Sequence, residues 1–262
     1  MRSWFNWVLL LAVGVSVSLM AMLVVAQGVY MGGGDPLTEI TEREWREIGH
    51  SIALGFGCAT IASVLALVLA LPTGFALARW KFAGSWLVEA LLLIPVIMSP
   101  MALGVAILLV LNSPPGRWVD DHVFRIMFEP PGIVLAQFFV AYAFAVLILR
   151  TTFAGIDVRL EQVARFLGCT RWQAFRRVTF PLSRGGIVAA FVLGWARSLG
   201  DFGTTSTVAG AVKGYTETPP ITIYFALQSL STQRAVALSI LLTVVCIAGL
   251  VTVRLLIGGR RR

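Results

Sequence analysis

The chain has 262 residues, 58% of them hydrophobic and only 13% charged, with 21 Lys and Arg against 13 Asp and Glu for a formal charge of +8. A soluble domain carries about twice that share of charge, so the composition excludes one and points to an integral membrane protein. Nucleic-acid binding is excluded too, because the basic residues lie between apolar runs and not on one aromatic-lined polar face.

A first apolar run, 7–26, is long enough to cross about 30 Å of hydrocarbon as a helix. Arg2 ahead of it and Val24 and Ala26 at its end resemble a cleaved leader, but the apolar core is longer than a leader needs. A retained anchor is expected. The polar, acidic stretch 32–49 is expected outside the membrane, with a short helix. A second span is expected at 50–78, with Pro72 as its kink or end, followed by a basic return of Arg79, Trp80 and Lys81. The third, 86–111, is interrupted by Pro95 and Pro100, and a Pro- and Gly-rich loop covers 112–131. The fourth, 132–149, exits at Arg150. The fifth, 185–209, carries Arg197, Ser198, Asp201 and the hydroxyls of 204–207 near its far end. A loop at 211–234 holds a short amphipathic helix over 221–230, and the sixth span, 235–257, runs into Arg260, Arg261 and Arg262. The expected fold is a single all-α polytopic membrane domain, 1–262, with six spans.

Lys and Arg set its orientation. Arg2, Arg79, Lys81, Arg150, the arginines of 157–181, Arg184, Arg254 and the tail share one side, while most of the acids accompany Arg43, Arg46, Arg117, Arg125, Lys213 and Arg234 on the other. The first side reads as cytoplasm, which puts both termini inside.

The polar stretch 157–181 is the longest segment on that side and has the marks of two helices. Asp157 suits an N-cap, Leu160, Val163, Ala164 and Leu167 form an i, i+3, i+4, i+7 stripe, and Gly168 suits a left-handed helix end. Thr170 and Gln173 have capping-box spacing, Trp172, Phe175 and Val178 follow, and Pro181 is expected to stop the second helix. This helix–Gly–helix elbow suits either an amphipathic loop on anionic headgroups or a docking element for a soluble partner.

E-Q-V-A-R-F-L-G at 161–168, followed by F-P, resembles the coupling loop of membrane subunits of ABC importers, whose pattern is E-A-A, three residues, then Gly. Gln162 and Val163 stand where that pattern has Glu and Ala, Glu161 sits one residue early, and Ala164, Gly168 and Pro181 match. The resemblance favours docking. It implies that Leu160, Val163, Ala164 and Leu167 seat the first helix in an ATPase, with Glu161, Gln162 and Arg165 bonding to it, Trp172 on the second helix and Gly168 allowing the bend.

Arg197 and Asp201 lie one helical turn apart and are expensive in lipid, about 2.5–3.5 kcal/mol each on insertion scales. They suit either an interfacial ion pair or a transport pathway and gate, where Ser198, Thr204 and Thr205 would offer hydroxyls to an oxyanion; helix packing is the other use of such hydroxyls. The run A-R-S-L-G-D-F-G-T-T at 196–205 resembles that of molybdate permeases, with Asp201 for their Glu, and T-P-P-I-T-I-Y-F-A-L-Q at 218–228 resembles their I-Y-x-x-L-Q segment. Sulfate and thiosulfate permeases share the coupling loop and L-G-[DE]-[FY]-G, so the I-Y-x-x-L-Q segment is what favours molybdate or tungstate. The resemblance implies a homodimer of permeases in the inner membrane of a prokaryote, two ATPase subunits below it and an external substrate-binding protein. A secondary anion transporter that uses Arg197, Asp201 and Glu89 for ion coupling stays open, but leaves the elbow without a role.

No phosphate loop, nucleophile–base pair or metal-ligand spacing is present, so neither enzymatic activity nor a bound cofactor is expected, and ATP with Mg belongs to the partner ATPase. His50 and His122 stand alone, and Cys58, Cys169 and Cys246 suggest no disulfide or metal framework.

Overall fold

A computed structural model describes residues 2–31, 42–80, 83–229 and 232–258. Most of the expected external stretch 32–49, Lys81 of the basic return and the terminal Arg260, Arg261 and Arg262 lie outside the described residues. Within them the structure is helical: α1 (Arg2–Met31), α2 (Glu42–Arg79), α3 (Ser85–Ile97), α4 (Pro100–Leu111), α5 (Pro114–His122), α6 (Pro130–Ala154), α7 (Val158–Phe166), α8 (Arg171–Ala174), α9 (Phe180–Leu199), α10 (Gly203–Val208), α11 (Pro219–Gln228) and α12 (Thr232–Gly258). Among the described residues, three helical stretches are long and apolar enough to cross a membrane: Trp45–Arg79, Pro130–Ala154 and Arg171–Leu199. The pair α3 and α4 makes a fourth if taken as one broken span, and shorter apolar stretches, Leu10–Met22 and Ala235–Gly249, lie in α1 and α12.

The centre is α6, packed between α2 and α9. Hydrocarbon solvates apolar side chains as well as a neighbouring helix does, so close packing and polar contacts must hold such helices together. The sequence supplies small residues for this. Ala59, Ala62, Ala66 and Ala70 form a fully buried stripe along α2, and Ala136, Ala141, Ala143 and Ala145 are buried on α6. Gly186 of α9 is pressed so closely on α6 that a Cβ there would lie 2.1 Å from the Thr152 hydroxyl oxygen. Above this small-residue seam, Ala70, Val146, Leu149, Phe153 and Ala190 build an apolar cluster.

Three expected boundaries are revised. The third span, expected as one segment over 86–111, is two helices that meet at 115°. Pro95 is accommodated inside α3, whereas Ser99, ahead of Pro100, is extended at φ −64° and ψ 146°. Proline disfavours helical geometry in the residue before it, and the Ser99 hydroxyl then caps α4 by accepting from Ala102 N at 3.3 Å. The fifth span, expected to run to 209, stops at Leu199 and resumes as the separate α10. Its other end is different again, because Pro181 does not stop the second elbow helix. A π-helical turn, Phe175–Thr179, joins α8 to α9, with Phe180 N bonding back to Phe175 O. The wider turn shifts the carbonyls that a proline ring would strike, so the helix passes through Pro181 into the membrane. The second helix of the elbow and the fifth span are therefore one rod, 171–199.

Candidate functional site

The elbow forms where its local signals place it. The Asp157 carboxylate accepts from Arg159 N at 2.9 Å at the start of α7. Gly168 has φ +90°, and the following Cys169 N bonds to Ala164 O at 3.1 Å to close the helix end. The Thr170–Gln173 box is complete, with Gln173 N donating to the Thr170 hydroxyl at 3.3 Å and Thr170 N donating to Gln173 Oε1 at 2.9 Å.

Two faces of α7 do different things. Leu160, Val163 and Leu167 are exposed, with Leu167 at 81%, and Phe166 beside them is exposed at 90%. Ala164, on the same stripe, is partly covered. A large apolar stripe this bare on a polar segment is the mark of a protein or membrane contact. Val158, Glu161, Gln162 and Arg165 occupy the opposite face and line a cleft of about 1140 Å³ against the end of α2. Of the three residues expected to bond to an ATPase, Gln162 and Arg165 are exposed on this second face and Glu161 is half-buried. At 100° per residue, positions 158, 161, 162 and 165 centre about half a turn away from 160, 163, 164 and 167.

Glu161 is tied inward. Its Oε1 accepts from Arg79 Nη2 at 2.7 Å, Arg79 Nε at 3.1 Å and the Thr179 hydroxyl at 2.8 Å. Arg79 Nη1 completes its own bonding on Ile156 O at 3.0 Å. Both charged side chains are largely buried, at 8% and 16% exposure for Arg79 and Glu161. An aromatic cluster reinforces the joint: Phe175 meets Phe75 edge-on at 4.9 Å, Phe75 meets Phe153 at 5.5 Å, and Trp172 stacks on Phe175 at 5.7 Å. The elbow is thus fastened to α2 and α6 while the stripe of α7 faces away. Arg79, Thr179, Phe75 and Phe153 were not read as site residues, since no spacing links position 79 to 161; the basic return at Arg79 was the one hint.

The second candidate set is differently disposed. The Asp201 carboxylate, with no exposed surface, accepts from the Thr204 hydroxyl at 3.2 Å, and from the Thr205 N–H and hydroxyl at 3.0 Å each. It lies 3.7 Å from Arg197 Nη1. Ser198 donates to the Gln137 carbonyl at 3.2 Å. Ser198, Thr204 and Thr205 are fully buried. The hydroxyls proposed for an oxyanion are thus engaged by protein acceptors in this conformation, and Asp201 caps the chain break between α9 and α10. Of this set, Arg197 alone has an appreciably exposed side chain, at 36%. Gln137 was missed as a candidate: it is buried in α6, and its Oε1 has no partner among the described residues. Glu89 is ion-paired with Arg150, and His122 stacks on Trp118, so each has a local role.

Residues 64–262 match the family model of the binding-protein-dependent transport system inner membrane component. The chain belongs to this family. The permease is 36% identical to the sulfate transport system permease protein CysW of Escherichia coli K12 over 200 residues, 76% of this chain and 69% of that protein. It is 34% identical to the molybdenum transport system permease protein ModB of the same strain over 198 residues, 72% of this chain and 82% of the relative. The ModB protein of Haemophilus influenzae is 32% identical over 184 residues, 68% of this chain and 80% of that one. In three dimensions the permease superposes on a chain of a bacterial alginate ABC transporter, solved with its alginate-bound periplasmic protein, with a TM-score of 0.74. That likeness covers 97% of this chain and 93% of the other at 14% identity, and it speaks for the fold alone. The chain is a multi-pass membrane permease component and not an enzyme.

Proposed function

We propose that this permease forms the translocation pathway of an ATP-driven importer for a tetrahedral oxyanion, with molybdate or tungstate as cargo. The observation that carries the ATP-driven part is the elbow, whose bare apolar stripe is held on α2 and α6 by the Arg79–Glu161–Thr179 bonds and the Phe175 cluster. In this reading Leu160, Val163, Leu167 and Phe166 seat in a groove of a separate ATPase, which binds ATP and Mg. A tilt of that surface is then passed to the membrane helices, because the rod 171–199 is continuous and α7 is bolted to α2. Two permeases with six spans each, both termini in the cytoplasm and an external binding protein above, complete the assembly. Asp201, Arg197 and the neighbouring hydroxyls would then act as a gate that exchanges its internal bonds for others as the helices move.

Relatives named for sulfate and for molybdenum transport match at similar identity, so identity does not choose the cargo. Molybdate is favoured by the I-Y-F-A-L-Q segment on α11. Sulfate is the second reading. Uptake of labelled molybdate into vesicles holding the permease, its ATPase and its binding protein tests both parts. ATP-dependent uptake blocked by tungstate and not by sulfate supports the proposal. Competition by sulfate moves the cargo, and gradient-driven uptake without ATP refutes the class.

A further inference from the structure

Part of the wall of the cleft behind α7 is the joint of Arg79, Glu161, Phe75 and Phe175, but its open space has no role in the function proposed above. Its volume of about 1140 Å³ exceeds the ~300–1,000 Å³ of ordinary small-molecule sites. Its apolar wall comes from Leu71, Pro72, Phe75 and Phe180, which belong to membrane-crossing stretches. Its lining is also cationic. Arg165, Arg171 and Arg176 line it, and none of the three pairs with a carboxylate among the described residues; Arg79, the fourth arginine, is already engaged by Glu161. Trp80 and Trp172 line it too, both largely exposed, and such amphipathic rings are common at the level of lipid headgroups.

We infer that this cleft holds one anionic phospholipid, its acyl chains against α2 and α9 and its phosphate among Arg165, Arg171 and Arg176. Three exposed guanidiniums without a carboxylate partner among the described residues, lining a mostly apolar cleft, select a ligand that is anionic at one end and hydrocarbon at the other. The ATPase is not the occupant, because the stripe assigned to it points away from the cleft on the same helix. The bound lipid fills the space between α7, α8 and α2, so it stiffens the joint through which the elbow moves the membrane helices. The inference rests on the cytoplasmic placement of the elbow proposed above.

The test uses the full-length permease in nanodiscs of phosphatidylcholine with a minor share of photoactivatable phosphatidylglycerol, with and without the ATPase. Wild type is expected to crosslink the probe within 71–80 and 171–180 and to retain it through purification. At the usual contribution of an arginine to anionic lipid attraction, R171Q/R176Q lowers retention by about 30-fold. R171K/R176K restores most of it and shows that the fold survives. R159Q/R177Q removes two exposed charges that do not line the cleft and leaves retention unchanged. Equal retention by R171Q/R176Q and wild type overturns the inference, as does crosslinking of cleft residues to the ATPase or a second permease. Capture of the ATPase by the wild-type permease is scored separately. Its failure sinks the coupling role of the elbow and leaves the lipid result standing, whereas capture with charge-indifferent lipid retention sinks only the lipid.

Discussion

Replacing Glu161 by Ala should loosen the elbow without unfolding the membrane core. The substitution removes one carboxylate oxygen that accepts three bonds, two from Arg79 and one from Thr179. It leaves the Thr179 hydroxyl fully buried without its acceptor and leaves Arg79 with the Ile156 carbonyl and the face of the Phe75 ring. Breaking a buried ion pair from one side costs about 3–5 kcal/mol, and the partial exposure of Glu161 favours the lower end, about 3 kcal/mol. Glu161→Gln keeps an oxygen acceptor and loses the charge, so roughly half of that is expected. Since about 1.4 kcal/mol is a factor of ten, amides of α7 should exchange with deuterium on the order of 100-fold faster in E161A and about tenfold faster in E161Q. The comparison is made by mass spectrometry on protein in nanodiscs. Acceleration should be confined to the elbow and the last turns of α2, and E161A/R79A should be far less than additive. Unchanged exchange in α7, or equal acceleration in α6, would refute the claim that this carboxylate fastens the elbow.

Leu167→Asp changes an exposed side chain that touches little within the permease, so thermal stability should stay within about 0.5 kcal/mol while co-purification of the ATPase falls at least tenfold. Loss of stability with normal co-purification would show that the stripe serves the permease itself. Gly186→Val should separate α6 from α9, since even a Cβ at this position overlaps Thr152; a loss of about 2–3 kcal/mol in detergent melts is expected, and T152A should recover part of it. On the loop before α11, the Tyr215 hydroxyl donates to Glu129, and that bond, desolvation and the carboxylate's charge hold the phenol above its ordinary pKa of 10.0. A group whose pKa is raised by folding stabilises the fold below its unfolded value and loses that effect as pH climbs through the folded one. The clamp should hold at neutral pH and release only above about pH 10, and a wild-type minus Y215F tyrosinate titration at alkaline pH reads it directly.

Much of the molecule is legible in the chain because its signals are local. Apolar runs, prolines and charge asymmetry mark membrane helices, since a bilayer forces every backbone group to bond within its own helix. Asp157, Gly168 and the Thr170–Gln173 pair likewise act over five residues or fewer, so the elbow can be read without its surroundings. Pro181 shows the limit of such reading: a π-helical turn absorbs a residue that would break an α-helix.

What only the tertiary structure decided is direction and partnership. The 3.6-residue period separates the two faces of α7, but nothing in it says that Glu161, Gln162 and Arg165 face α2 while Leu160, Val163 and Leu167 face outward. The Arg79–Glu161 bond joins positions 82 apart in sequence. The hydroxyls of Thr204 and Thr205 look available for an anion in the sequence and are bonded to Asp201 in the fold. Helical structure follows from bonds between near neighbours, which the chain order dictates. Which group a carboxylate or hydroxyl meets depends on how helices far apart in the chain are brought together, and that is settled by packing.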